Sequence, residues 1–344
     1  MQIRYVPFLR WKAGEKTALL RLSTQAKIDS VPYILLGADN FKDKKATKRT
    51  PALTAAHAFA TELVRCWGPS PIYLDATPLA ITSGLITPLE SAADQVAVAG
   101  GKIIPALSLK STNAYQNAVI AVARKYSTGV ALRVSLSEMT NAKTWIRSWP
   151  FALSETDLII DLDNSVEAVA ALGSAVVNAF LTLEQGGDWR SVTISGTSIP
   201  DNFTGLAAGL YERERIEYSL WRALSSSKLP YVLHYGDYAT VSTATPAPGI
   251  AWGYPITVKY TLPQSFLICR GVRTRGFGAQ DMSVQLVKHA QSIVGWPSRS
   301  PLSHCWADKQ IDAIAAGLAG PQGLGHWVSL GVNRHMELVR ALLP

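Results

Sequence analysis

The chain has 344 residues, 48% of them hydrophobic and 17% charged, with a formal net charge of +8. That composition excludes a disordered chain and supports a core large enough for one elaborated α/β domain. The positive balance favours an anionic partner such as a nucleotide, a nucleic acid, a phosphorylated small molecule or an acidic protein surface.

Apolar runs recur along the chain, most followed by a stretch of helical spacing. The first strand is predicted over Tyr5–Leu9, with a helix from Lys16 to Leu22. The second, Pro32–Leu36, enters a polar loop holding the basic run Lys42–Arg49, read as solvated. A helix over Ala52–Cys66 precedes the third strand, Ile72–Leu74. Lys102–Leu109, Gly129–Val134, Asp157–Leu162 and Ser191–Ile194 follow, with helices over Ala114–Tyr126, Asn141–Trp149 and Val166–Leu183. Ala168–Leu183 reads as a buried barrel helix, because no uncharged run has the length and flanks of a membrane span. The loop Ser195–Pro200 offers backbone amides to an anion, or is an ordinary turn.

Leu210–Leu224 reads as a charged amphipathic helix and Tyr231–His234 as an eighth strand. Ile256–Leu262 and Ser265–Arg270 form two further strands around Pro263-Gln264. One is expected to close the barrel and the other to make a hairpin on it. Gly271–Gly278 is a basic glycine-rich loop, suited to covering phosphates, to touching nucleic acid, or to no role at all. Three helical segments end the chain: Ser283–Val294, Asp308–Leu318 and Trp327–Leu343.

Parallel strands joined by helices must lie in a sheet covered on both faces. About eight such units predict a single TIM-like (β/α)8 barrel over 1–344, with 281–344 as a helical C-terminal elaboration. The three cysteines, Cys66, Cys269 and Cys305, have neither metal spacing nor an even count. This favours a reducing compartment, and with no leader-like N-terminus the cytoplasm is expected, away from membranes. No G-x-S-x-G elbow, P-loop or G-x-G-x-x-G fingerprint occurs, and the six histidines show no zinc spacing.

Several clusters together resemble the beta family proteins of tailed phages and bacteria. They are Tyr5-Val6-Pro7-Phe8-Leu9-Arg10-Trp11-Lys12-Ala13-Gly14-Glu15, the strand with Arg133, Glu217 and Trp221, and Tyr235-Gly236-Asp237-Tyr238. Arg270-Gly271, Trp306-Ala307-Asp308, Trp327 and Arg334-His335 complete the set. The chain departs from the family pattern at Leu35-Leu36-Gly37-Ala38, where an acidic residue is usual. It departs again at Thr240-Val241-Ser242, where a prolyl pair is replaced by the later Pro246. The resemblance implies a phage-related or phage-defence setting and no particular reaction.

A barrel of this kind keeps its chemistry at the C-terminal ends of its strands. The residues expected there include the cations Lys12, Lys110, Arg133 and Arg270, which suit a ligand with more than one anionic group. Trp11 and Tyr238 are aromatic candidates for the same ligand, and Trp252 lies near the family-like clusters. Glu15, Asp163 and Asp237 are the candidate catalytic carboxylates. Asp237, freed by Gly236, is expected to point into the mouth and to contact Arg133 or Arg270 before Lys12. The first functional expectation is a protein that binds a phosphate-bearing ligand, or a macromolecular partner, at this mouth. The second is a metal-assisted phosphodiester or phosphoryl hydrolase, Mg²⁺ or Ca²⁺ being the ions that carboxylates without histidine favour. A third is a subunit whose tail helices dock on another protein.

Overall fold

The computed structural model describes residues 4–46, 52–79, 87–243, 255–299 and 305–344. Thr47–Arg49 of the basic run, Pro246, Trp252 and His304 lie outside them.

Eight parallel strands close into a barrel. In chain order these are β1 (Tyr5–Leu9), β2 (Tyr33–Leu35), β3 (Pro71–Asp75), β4 (Lys102–Ser108), β5 (Val130–Val134), β6 (Thr156–Asp161), β7 (Ser191–Ser195) and, after an inserted strand β8 (Gly209–Glu214), β9 (Leu233–Asp237). Closure runs from β9 to β1, with Val6 opposite Gly236. Neither candidate for closure takes part. Those two strands, β10 (Thr257–Thr261) and β11 (Ser265–Arg270), pair antiparallel and join β8 in a separate sheet of order β10-β11-β8. The stretch read as one helix over Leu210–Leu224 is therefore first a strand. Within β8 alternate residues are exposed, the period of a half-covered strand rather than a helix.

The helices over the barrel are α1 (Ala13–Leu20), α2 (Thr24–Lys27), α3 (Ala55–Cys66), α4 (Pro88–Val98), α5 (Asn113–Tyr126), α6 (Leu136–Thr140), α7 (Ala142–Trp145), α8 (Val166–Ala170), α9 (Ser174–Leu181) and α10 (Ile216–Ser225). α4, absent from the sequence reading, starts at a capping box in which Thr87 and Glu90 satisfy each other's backbone amides. The stretch expected as one buried helix over Val166–Leu183 breaks between α8 and α9, and only Val166, Val169, Val176 and Phe180 of those two helices are buried.

Three more helices follow the second sheet: α11 (Met282–Val294), α12 (Trp306–Ala315) and α13 (Leu324–Leu342). α11, α12 and the sheet enclose a second apolar core around Leu267, Leu286, Ile293 and Ile311. α13 does different work. It packs on α1, α2 and β1, and its Val332, Met336 and Val339 belong to the main core, so it is the barrel's own eighth helix. β10, β11, α11 and α12 are thus an insertion between β9 and the helix that completes the barrel, and β8, inserted between β7 and α10, completes their sheet. Among the described residues no helix is long and apolar enough to cross a membrane.

Candidate functional site at the barrel mouth

Side chains alternate across each strand, so every barrel strand sends one set inward and one outward. Val6 and Phe8, Tyr33, Tyr73, Ile104 and Ala106, Ala131, Ile159 and Tyr238 form the inner cluster. The N-terminal end of the barrel is plugged by Asp157, which accepts from Tyr73, Arg190, Ser191 and Arg4. The opposite end is the mouth.

Continuing the same inward registers places Asp75, Arg133, Asp161 and Ser195 at the mouth. Arg133 lies 3.7 Å from both Asp75 and Asp161, and its guanidinium sits over the Tyr33 ring at 5.9 Å. Both separations exceed hydrogen-bond length, and among the described residues Arg133 donates no hydrogen bond. The carboxylates are held from elsewhere. Asp75 accepts from Tyr33 and from the Thr77 amide, and Asp161 accepts from Tyr238 at 2.6 Å and from the Asp163 amide. Burial works against the Arg133 charge, but Tyr33, Asp75 and Asp161 outweigh it and leave its pKa raised. Burial also raises the Asp161 carboxyl, against the opposing pull of Arg133 and Tyr238.

A cavity of about 340 Å³ opens here, lined among others by Ser108, Lys110, Arg133, Glu138, Asp161, Asp163 and Tyr238. Beside Asp161 in the β6–β7 register stands Ser195, whose buried hydroxyl has no hydrogen-bond partner among the described residues. Gly236 keeps this floor open. A Cβ there would meet Ser195 Cβ and the Val6 carbonyl, each at 3.0 Å.

The expected constellation divides. Arg133, Lys110, Asp163 and Tyr238 reach the mouth together. Lys110 and Asp163 are on its rim, with the Lys110 side chain exposed and 3.7 Å from Glu138. Lys12 is exposed at the start of α1 and lines no part of this cavity. Glu15 is buried as the capping carboxylate of α1, accepting from the Arg10 and Lys12 amides. Trp11 is fully buried edge-on against Phe59, so it has no face for a ligand. Arg270 ends a strand of the separate sheet, bonded to Thr257 and to the Pro255 and Phe203 carbonyls. Antiparallel β11 never delivers it to the mouth.

Asp237 is the main correction. It is the last residue of β9 rather than part of the loop beyond it, and its phase is that of Tyr235, on the outer wall. It accepts from Tyr5 at 2.8 Å, the Ala239 amide at 3.0 Å and His335 Nε2 at 2.7 Å. The nearest guanidinium is that of Arg215 at 3.9 Å, not Arg133 or Arg270. Burial pushes the carboxyl up, yet His335, Arg215 and Tyr5 overcome this and hold its pKa at about 2. Burial lowers the His335 imidazole against the opposing pull of Asp237, and Thr261 lies 3.0 Å from its Nδ1. Carboxylate, imidazole and hydroxyl stand in the order that activates a nucleophile. Thr261 is fully buried, however, and no substrate reaches it.

The same wall gathers much of what carried the family resemblance. Arg215 lies 3.7 Å from Glu217 and donates to Tyr235. Glu217 accepts from the Ser198 amide, so the Gly/Ser loop does hold an anion, and the anion is the chain's own. Burial raises Glu217 to about 7 despite Arg215 and Ser198. Asp308 bonds Arg334 at 2.9 Å and Tyr260 at 2.8 Å, tying the insertion to α13. Counting beyond the strand ends reaches Asp75, the first residue after the predicted strand Ile72–Leu74, and misses Asp161. The alternation Asp157, Ile159, Asp161 on β6 was the available signal.

Barrel and mouth define a TIM-type α/β-barrel protein whose open end presents one arginine among carboxylates. Residues 5–340 match the family model described as Beta protein, and the chain belongs to that family. No curated protein matches the sequence.

Proposed function

We infer that the protein binds a small ligand at the barrel mouth through one anionic group, a phosphate or a carboxylate, taken by Arg133 with Lys110 at the rim. The observation that carries this is Arg133 itself. Its planar fork is fixed over Tyr33, faces a cavity, and has its charge countered but its N–H groups unused. A guanidinium so placed is matched to a two-oxygen acceptor. The surroundings narrow the ligand further. Asp75, Asp161, Asp163 and Glu138 outnumber Arg133 and Lys110, so a bare polyanion is disfavoured. Hydroxyl or amino groups on the ligand would donate to Asp161 and Glu138 and engage Ser195. The phage-related or phage-defence setting implied by the resemblance is part of the same proposal.

Metal-assisted hydrolysis gains no support from a specific observation. Asp163 and Asp237 stand on opposite faces of the barrel wall, and among the described residues no three His, Cys, Asp or Glu converge to hold an ion.

The test is calorimetry with a panel of sugar phosphates, nucleoside monophosphates and hydroxy acids. At least one should bind the wild type, and Arg133→Ala should weaken it about 10- to 150-fold, the worth of hydrogen bonds to a charged group. Arg270→Ala should leave it unchanged. A panel without binders, or an Arg133→Ala variant that binds normally, overturns the reading.

A further inference from the structure

Beyond the mouth, the loop between β11 and α11 is built for contact. It leaves the second sheet at Arg270 and returns at Asp281, which caps α11 by accepting from the Ser283 and Val284 amides. Its base is pinned. The Gln280 amide donates to the Arg273 carbonyl, and Gln285 bonds both the Val272 amide and the Gln280 carbonyl. The excursion between these ties is Thr274-Arg275-Gly276-Phe277-Gly278-Ala279. Gly276 and Gly278 take φ of +88° and +72°, a region side chains avoid, and between them they lift Phe277 clear of the protein. Phe277 is fully exposed, the most exposed large apolar side chain among the described residues. Arg273 and Arg275 are exposed beside it in sequence, and the loop has no acid before the capping Asp281.

A lone aromatic held out in water stabilises nothing within the chain. Two cations beside it in a chain of charge +8 favour an anionic partner. We propose that this loop binds single-stranded nucleic acid, Phe277 stacking on an unpaired base while Arg273 meets a flanking phosphate. One exposed ring is a complete platform for one base. It is a poor membrane anchor, since no second aromatic accompanies it in the loop and one buried ring gives only weak attachment. Duplex DNA offers no unpaired face for the ring. The proposal is independent of the mouth and stands or falls separately.

The test is fluorescence anisotropy of the full chain with a labelled oligothymidylate of about 20 nucleotides, starting near ~50 mM salt where phosphate contacts are strong. Binding is expected, falling linearly with the logarithm of salt. Phe277→Ala should weaken it about 5- to 150-fold, the range of one base stack. Arg273→Gln should reduce the salt slope by about 0.7. The thermal midpoint of Phe277→Ala should match the wild type, because the ring is fully exposed among the described residues. Three results overturn the proposal: no binding to the oligonucleotide, equal binding by Phe277→Ala, or duplex of the same length bound as tightly. Sedimentation with phosphatidylserine vesicles that depends on Phe277, without oligonucleotide binding, would assign the loop to membranes instead.

Discussion

The mouth and the outer wall are made of the same parts and behave differently. Each sets one arginine near two carboxylates and beside tyrosines. At the mouth the ion pairs are 3.7 Å long, Arg133 donates to none of the described residues, and a cavity adjoins it. On the wall Asp237 is saturated by Tyr5, Ala239 and His335 donors, and Arg215 is fully buried and bonded to Tyr235. Residue type does not separate the two. What separates them is unused hydrogen-bonding capacity combined with access. Arg215 Nε and one Glu217 oxygen are also without a partner among the described residues, but they are sealed inside the wall, whereas Arg133 faces a cavity.

Three effects sharpen or break that contrast. The largest effect belongs to Asp237→Ala, which strands Arg215 and the His335 donor inside the wall. It should cost about 3–5 kcal/mol in urea unfolding, the penalty for breaking a buried pair. Asp237→Asn should cost less and leave mouth ligands bound with unchanged affinity. An Asn variant of normal stability and lost binding would return Asp237 to the mouth.

The second effect is a pH dependence, with two opposed arms. Glu217 rises from 4.5 to about 7 on folding, so its contribution is fully present below pH 4.5 and disappears as pH rises through 7. The loss amounts to about 3 kcal/mol, taking the shift at face value. Asp237 falls from 3.8 to about 2, so its contribution is present above pH 4 and lost as pH drops towards 2. Thermal midpoints should therefore peak near pH 4 to 5 as far as these two groups decide. Glu217→Gln should flatten the alkaline arm, and an unaltered arm would show that Glu217 does not titrate there.

The smallest effect is at the rim. Lys110→Ala and Asp163→Asn remove exposed charges and should change stability by no more than about 0.5 kcal/mol. If the mouth binds as proposed, Lys110→Ala should weaken the ligand only by the ~0.2–1 kcal/mol of an exposed ion pair. A larger loss at Lys110 than at Arg133 would move the anion site outward.

Why the sequence located one region and misread the other follows from strand phase. The eighth strand was expected to end at His234, and it runs on to Asp237. Three residues of error turn a loop residue into a strand residue, and the alternation then points Asp237 outward. Arg133 was legible because its strand was bounded to the residue, Val134 being the end in both cases. Asp161 was passed over for Asp163, since counting beyond a strand skips its last inward side chain. His335 had no sequence signal for its partner, which lies 98 residues away.

Local spacing alone determined the succession of strands and helices, and with it the barrel, because period two and period 3.6 are written into neighbouring residues by covalent geometry. The number of units then left closure as the way to pair both edges. Tertiary packing decided the rest. It chose β9 over β10 and β11 to close the ring, made α13 the barrel's eighth helix, and set the second sheet against the wall. Those outcomes turn on which apolar faces meet across a hundred residues or more, and on which buried charges find partners there. A one-dimensional pattern carries the faces but not their meeting.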